Sequence, residues 1–174
     1  MAGSSPAVKL CRVRRSERRS KHRAVNLRGT GSAACHWEMR SITAPIDGVV
    51  QAVTLRVSTL PAYLLAKTHA AHGRGLPNDW YDIAYVLLRN DDGGPGPAGR
   101  RVREQFQDDL AGAMVTAPSE LSANFAHEAA QGSVAFASTM VGIHPELDPD
   151  VLANGAVAAV AALIGALGLA DGLS

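Results

Sequence analysis

The chain has 174 residues, 17 Lys+Arg against 16 Asp+Glu, and 47% hydrophobic side chains. That apolar content is enough for one packed domain and excludes wholesale disorder. With 2 Cys and 5% aromatics, it is no disulfide-rich secreted scaffold, and its core must be built mainly from Ala, Leu and Val.

The net charge of +1 conceals a split. Residues 1–40 hold 10 basic side chains and only Glu17 and Glu38 as acids, whereas from Glu104 onward there are 9 acids and no Lys or Arg. Such asymmetry marks a basic arm on an acidic body. The run from Arg12 to Arg23 has too few apolar groups to bury, so 1–40 is expected to be a basic, disordered tail or a misread segment. If it works, it neutralises nucleic-acid phosphates without sequence specificity. No apolar stretch of a secretory signal follows it. The expected compartment is the cytoplasm, with Cys11 and Cys35 as free thiols.

From Gly48 to Val57 the sequence is rich in Val and alternates in period two, which predicts a strand. Ser58-Thr59 and Pro61 then signal a helix start. The helix is predicted over about 61–72, with Leu64, Leu65 and Thr68 buried and Lys67 and His69 to the sides. Gly73, Gly75 and Pro77 end it. Asn78 is expected to cap a second helix, with Asp79 and Asp82 in its first turn and Ile83, Val86 and Leu87 on its buried face. Residues 90–99 read as a loop and 100–110 as an exposed helix. Further helices are predicted over about 118–130, with a break at Gly132, then 133–141, then about 149–169 capped by Asp148. Val151 to Ala170 is long enough to span a bilayer. Its Ala and Gly content, Asn154 and acidic flanks favour a buried helix, and no membrane partner is expected. The fold class is therefore α+β and mostly helical, with a short strand or small sheet remnant near 42–57 followed by a helical bundle.

The informative stretch is Leu60 to Leu88. Lys67 lies on one helix and Asp79 opens the next, so a tight turn between them brings a cation and a carboxylate to one cleft. A lysine there can hold a phosphate, and an aspartate can bind a hard cation or accept a proton. The alternative for the same spacing is a Lys–Asp surface pair. His69 and His72 stand i, i+3 on the first helix, in reach of one metal ion, without a third ligand nearby in sequence. His127 with Glu128, and His144 with Glu146, show no further partners.

Lys67, Ala70-Ala71, Arg74 and then Asp79-Trp80-Tyr81-Asp82 before an apolar run resemble the AbiEii/AbiGii-type nucleotidyltransferase toxins. The resemblance covers about residues 48–90, including the strand that leads into the lysine helix. It implies a C-terminal helical bundle after a small polymerase-β-type sheet, so that 41–174 is a partial nucleotidyltransferase-like domain. It also implies transfer of a nucleotide from an NTP, with Mg²⁺, to an acceptor such as tRNA or another nucleic acid, and an antitoxin protein as partner. Catalytic roles then fall on Lys67, Asp79 and Asp82, and cofactor binding on Lys67 and Arg74. Two departures stand out. Asn78 replaces the family's basic residue before the Asp. The family's Gly-Ser followed by Asp-x-Asp is absent: after Gly31-Ser32 the corresponding positions hold Thr43 and Pro45, and Asp47 stands alone. Transfer through metal ions without paired carboxylates is hard to sustain. The chain therefore reads as a partial or degenerate member without a metal site, inactive as it stands. The other reading is a non-catalytic helical binding domain with a basic nucleic-acid-binding arm.

Overall fold

A computed structural model describes residues 35–112 and 115–168. The expectations for the basic segment before residue 35 lie outside the described residues, as does Cys11. Two antiparallel strands precede six helices, giving a mostly helical α+β fold. The strands are β1 (Trp37–Ile46) and β2 (Val49–Ser58). The helices are α1 (Leu60–Arg74), α2 (Pro77–Arg89), α3 (Pro95–Ala111), α4 (Ala117–Asn124), α5 (Gln131–Ile143) and α6 (Pro149–Leu167).

The expected strand has a full partner that the sequence reading did not find. Asp47 (φ 51°) and Gly48 (φ 78°) both take left-handed backbone, as the two-residue turn of a tight hairpin requires. The ladder runs from Ile46 opposite Val49 to Trp37 opposite Ser58. Strand β1 thus begins inside the segment read as tail and contains Pro45. At the base of the hairpin the Thr59 amide donates to the His36 carbonyl at 3.2 Å. The His36 ring meets Phe106 of α3 edge-on at 4.9 Å. Cys35, just before β1, is disulfide-bonded and so corrects the expectation of a free thiol. Disulfide pairing depends on closeness in space, which sequence separation does not report.

Helix α1 starts after Thr59 with Pro61 in its first turn and stops at Gly75, whose φ of 59° is the left-handed C-terminal conformation. Leu64, Leu65 and Thr68 are buried as the spacing required. Helix α2 is capped differently from the expectation. Pro77 occupies its first turn and Leu76 is the N-cap, so Asn78 is already helical. Trp80, Ile83 and Leu87 fill the centre of the bundle. Each such side chain contributes about 1.5–3 kcal/mol on burial.

Helix α3 begins in the expected loop and is amphipathic rather than exposed. Val102, Phe106 and Leu110 are buried, and the helix packs along α6. Gly99 permits the approach, because a Cβ there would stand 2.7 Å from the Leu163 carbonyl oxygen. Helix α4 is shorter than expected and ends at Asn124. A Cβ on Gly132 would meet the Phe125 ring at 2.5 Å, so the small residue lets α5 start against that ring. Asp148 caps α6, its side chain accepting from the amides of Asp150 and Val151. Helix α6 is long and apolar enough to cross a membrane by length and composition. It packs against α2, α3 and α5 through Ala153, Ala156, Ala159, Val160 and Leu163.

Candidate functional site

The corner between α1 and α2 assembles all four expected residues. The left-handed Gly75 turns the chain within two residues, so the last turns of α1 face the first turn of α2. Lys67 Nζ donates to Asp79 Oδ1 at 2.8 Å and lies 2.6 Å from Asp82 Oδ2. Arg74 Nη2 donates to the same Asp79 Oδ1 at 2.9 Å. Two cations and two carboxylates therefore close a network with no net charge.

Its members differ in burial. The Asp79 side chain is 4% exposed and Lys67 18%, whereas Arg74 and Asp82 are each 39% exposed. Asp79 is therefore the hub, and the outer two face solvent. Burial alone would lower the Lys67 pKa, but hydrogen bonds to Asp79 and Asp82 and their charges outweigh it and raise the value. Lys67 is thus held as an ammonium. Asp79 Oδ2 is buried and has no hydrogen-bond partner among the described residues, and neither has the neighbouring Trp80 indole nitrogen. An unpaired carboxylate oxygen in such a place is costly and is a feature that sites for ligands use.

Tyr63 belongs to the same corner and was missed from sequence. It sits one helical turn before Lys67, and its pKa is raised by burial first and then by Asp82. The i, i+4 spacing from Lys67 was the available signal.

The remaining candidates separate from this corner. His72 Nδ1 pairs with Glu120 Oε2 of α4, and the His69 and His72 ring centroids are 6.4 Å apart. The His69 pKa is lowered by burial and then by His72. No group of three His, Cys, Asp or Glu able to hold a metal occurs among the described residues. His144 and Glu146 form an exposed pair at 3.4 Å. Thr43 and Pro45 share one face of β1, and Asp47 lies in the turn at its tip. The spacing there suits two carboxylates, but the residue types do not. The polar cleft of about 430 Å³ at the hairpin base is lined by Glu38, Arg40, Asp92, Arg101 and Glu104 among others, and by none of the four corner residues.

Mg²⁺ does not fit this corner. A hard divalent cation seeks several oxygen ligands. Here Asp79 and Asp82 supply the carboxylates, and both already hold the Lys67 ammonium. A polyphosphate fits the cations better, since Lys67 offers a point charge and the half-exposed Arg74 a planar fork. To bind it, both must exchange a carboxylate for a phosphate.

Comparison with protein-family models, curated proteins and solved structures yields no match to the chain.

Proposed function

We propose that the chain is a partial or degenerate nucleotidyltransferase of the AbiEii toxin type, retaining a corner that holds the phosphates of an NTP. The observation that carries this reading is the convergence of Lys67, Arg74, Asp79 and Asp82 on one corner, in the stretch that resembles that family. An intact relative of this kind would move a nucleotide from an NTP to an acceptor such as tRNA, and an antitoxin protein would be its partner. In this chain no transfer step is derived, because Thr43 and Pro45 stand where paired carboxylates would be needed.

Titration of a fluorescent NTP, with and without Mg²⁺, tests the reading. Lys67→Ala should abolish binding while circular dichroism shows a folded helical chain. Asp82→Asn should strengthen binding, because it frees half of the Lys67 ammonium without touching the buried Asp79. Equal affinity in parent, Lys67→Ala and Asp82→Asn would sink the proposal.

A second reading has its own observation. Lys67 is engaged by two carboxylates at once, which suits a structural clamp between α1 and α2. The chain would then be a non-catalytic helical domain binding nucleic acid through the basic residues 1–40. Nucleic-acid affinity would fall steeply with salt and vanish on deletion of 1–34, whereas the NTP titration would be flat.

A further inference from the structure

We propose that the chain forms a two-fold dimer in which β2 pairs antiparallel with β2 of a second copy, in a register centred on Val53. A two-stranded ribbon is marginal in water and needs a third strand or a packed face. Among the described residues this ribbon packs extensively only strand on strand, and its Ile42, Ile46, Val49, Val53 and Leu55 are each at least 43% exposed. The register places those five on one face with Ala44, Gln51 and Val57, and with the charged Glu38 and Arg40 at the base of the hairpin. The other face is mixed: it carries Ser41, Thr43, Thr54 and Arg56 together with Met39, Val50 and Ala52, and the Arg56 guanidinium lies 3.8 Å from the Trp37 ring centre.

The two edges of the ribbon are not equivalent. A two-residue turn makes Ile46 and Val49 a hydrogen-bonded pair, and pairs alternate from there. The outward amides of β1 are thus those of Trp37, Met39, Ser41 and Thr43, and the next outward position is Pro45, which has none. The outward positions of β2 are Val50, Ala52, Thr54, Arg56 and Ser58, with no proline among them. A long edge without proline or lysine is open to strand addition.

The sequence of β2 suits a copy of itself. Centred on Val53, outward residues meet outward residues: Ala52 pairs with the partner's Thr54, and Val50 with the partner's Arg56. The intervening close pairs are Val53 with the partner's Val53, Gln51 with the partner's Leu55, and Val49 with the partner's Val57. All of these lie on the face that carries Ile42 and Ile46, and non-hydrogen-bonded pairs bring side chains closest. Arg56 is the only charge on β2, and this register seats it against Val50, so no like charges meet. The two-fold axis stands perpendicular to the sheet, so the two copies of this face lie on one side of a four-stranded sheet. The nine-residue ladder is roughly 30 Å long. Buried area does not convert directly to affinity, so the strength of association is read from its dependence on concentration.

Sedimentation velocity of the full chain over a concentration series, with variants that add one cysteine to Cys11 and Cys35 oxidised under mild conditions beside the oxidised parent, tests the register. Val53→Cys should form a disulfide-linked dimer. Gln51→Cys alone should not, but should cross-link when mixed with Leu55→Cys. Thr54→Pro removes an outward amide that the intrachain ladder does not use, and should weaken association about tenfold or more. Thr43→Pro, its counterpart on the β1 edge, should leave association unchanged, with circular dichroism confirming the fold of both. A monomer at every concentration would overturn the proposal. So would association indifferent to Thr54→Pro, or Gln51→Cys cross-linking alone as readily as Val53→Cys.

Discussion

Replacing Lys67 by Met keeps most of the aliphatic stem and deletes the ammonium. The buried Asp79 then keeps only Arg74, which is more exposed and shares the same oxygen. Asp82, at 39% exposed, turns to solvent without penalty. Breaking a fully buried pair by removing one partner costs about 3–5 kcal/mol. One remaining partner and the partial exposure of Lys67 reduce the expected loss to about 2–3 kcal/mol. For a chain of this size that is a fall in Tm of roughly 4–12 °C. Urea unfolding of parent and Lys67→Met, followed by circular dichroism at 222 nm, reads the difference directly. The double variant Lys67→Met/Asp79→Asn should recover more than half of the loss, because the uncompensated charge is gone. A Lys67→Met variant within about 0.5 kcal/mol of the parent, the usual range for surface changes, would refute the clamp. Failure of the double variant to recover stability would instead assign the loss to packing.

The raised Lys67 pKa predicts a pH dependence with a definite sign. Stability from the cluster is complete below the unfolded-state lysine value and declines as pH rises through the folded one, so the Tm of the parent should fall above about pH 10.5 more steeply than that of Lys67→Met. The His69 shift acts at the other end. A lowered value means stability present above about pH 6.5 and lost as pH falls, and His69→Gln should flatten that limb of a Tm–pH curve. Gly99→Ala puts a Cβ against the Leu163 backbone, and unfolding in urea should show a loss of about 1–3 kcal/mol. Asp148→Ala removes the cap of α6 and should cost about 1 kcal/mol in the same assay.

Much of the candidate site was legible because it is local. Lys67, Arg74, Asp79 and Asp82 fall within sixteen consecutive residues, and a helix, a glycine stop and a second helix leave few ways to arrange them. The depth of Asp79 was not legible. Near the start of a helix it reads as a solvated dipole partner, yet it is buried and held by Lys67 and Arg74 of α1. Tyr63 was missed because an aromatic residue one turn from a lysine is indistinguishable in sequence from a core residue.

The hairpin was within reach of the sequence. Asp-Gly between Ile46 and Val49 is a strong turn signal, but Pro45 and the Ser and Thr of β1 obscured the first strand. The course of 100–110 is the opposite case. Its charge suggested exposure, and only the arrival of α6 against Gly99 shows which face is buried.

What the sequence determined by itself is the succession of helices and the lysine–aspartate corner, since capping residues, periodicity and short turns act over a few residues. Tertiary structure alone decided that Asp79 is buried, that α6 packs against α2, α3 and α5, and that no described strand pairs with the outer edge of β2. Those outcomes depend on which distant surfaces meet, and burial is a property of the assembled neighbours rather than of any one segment.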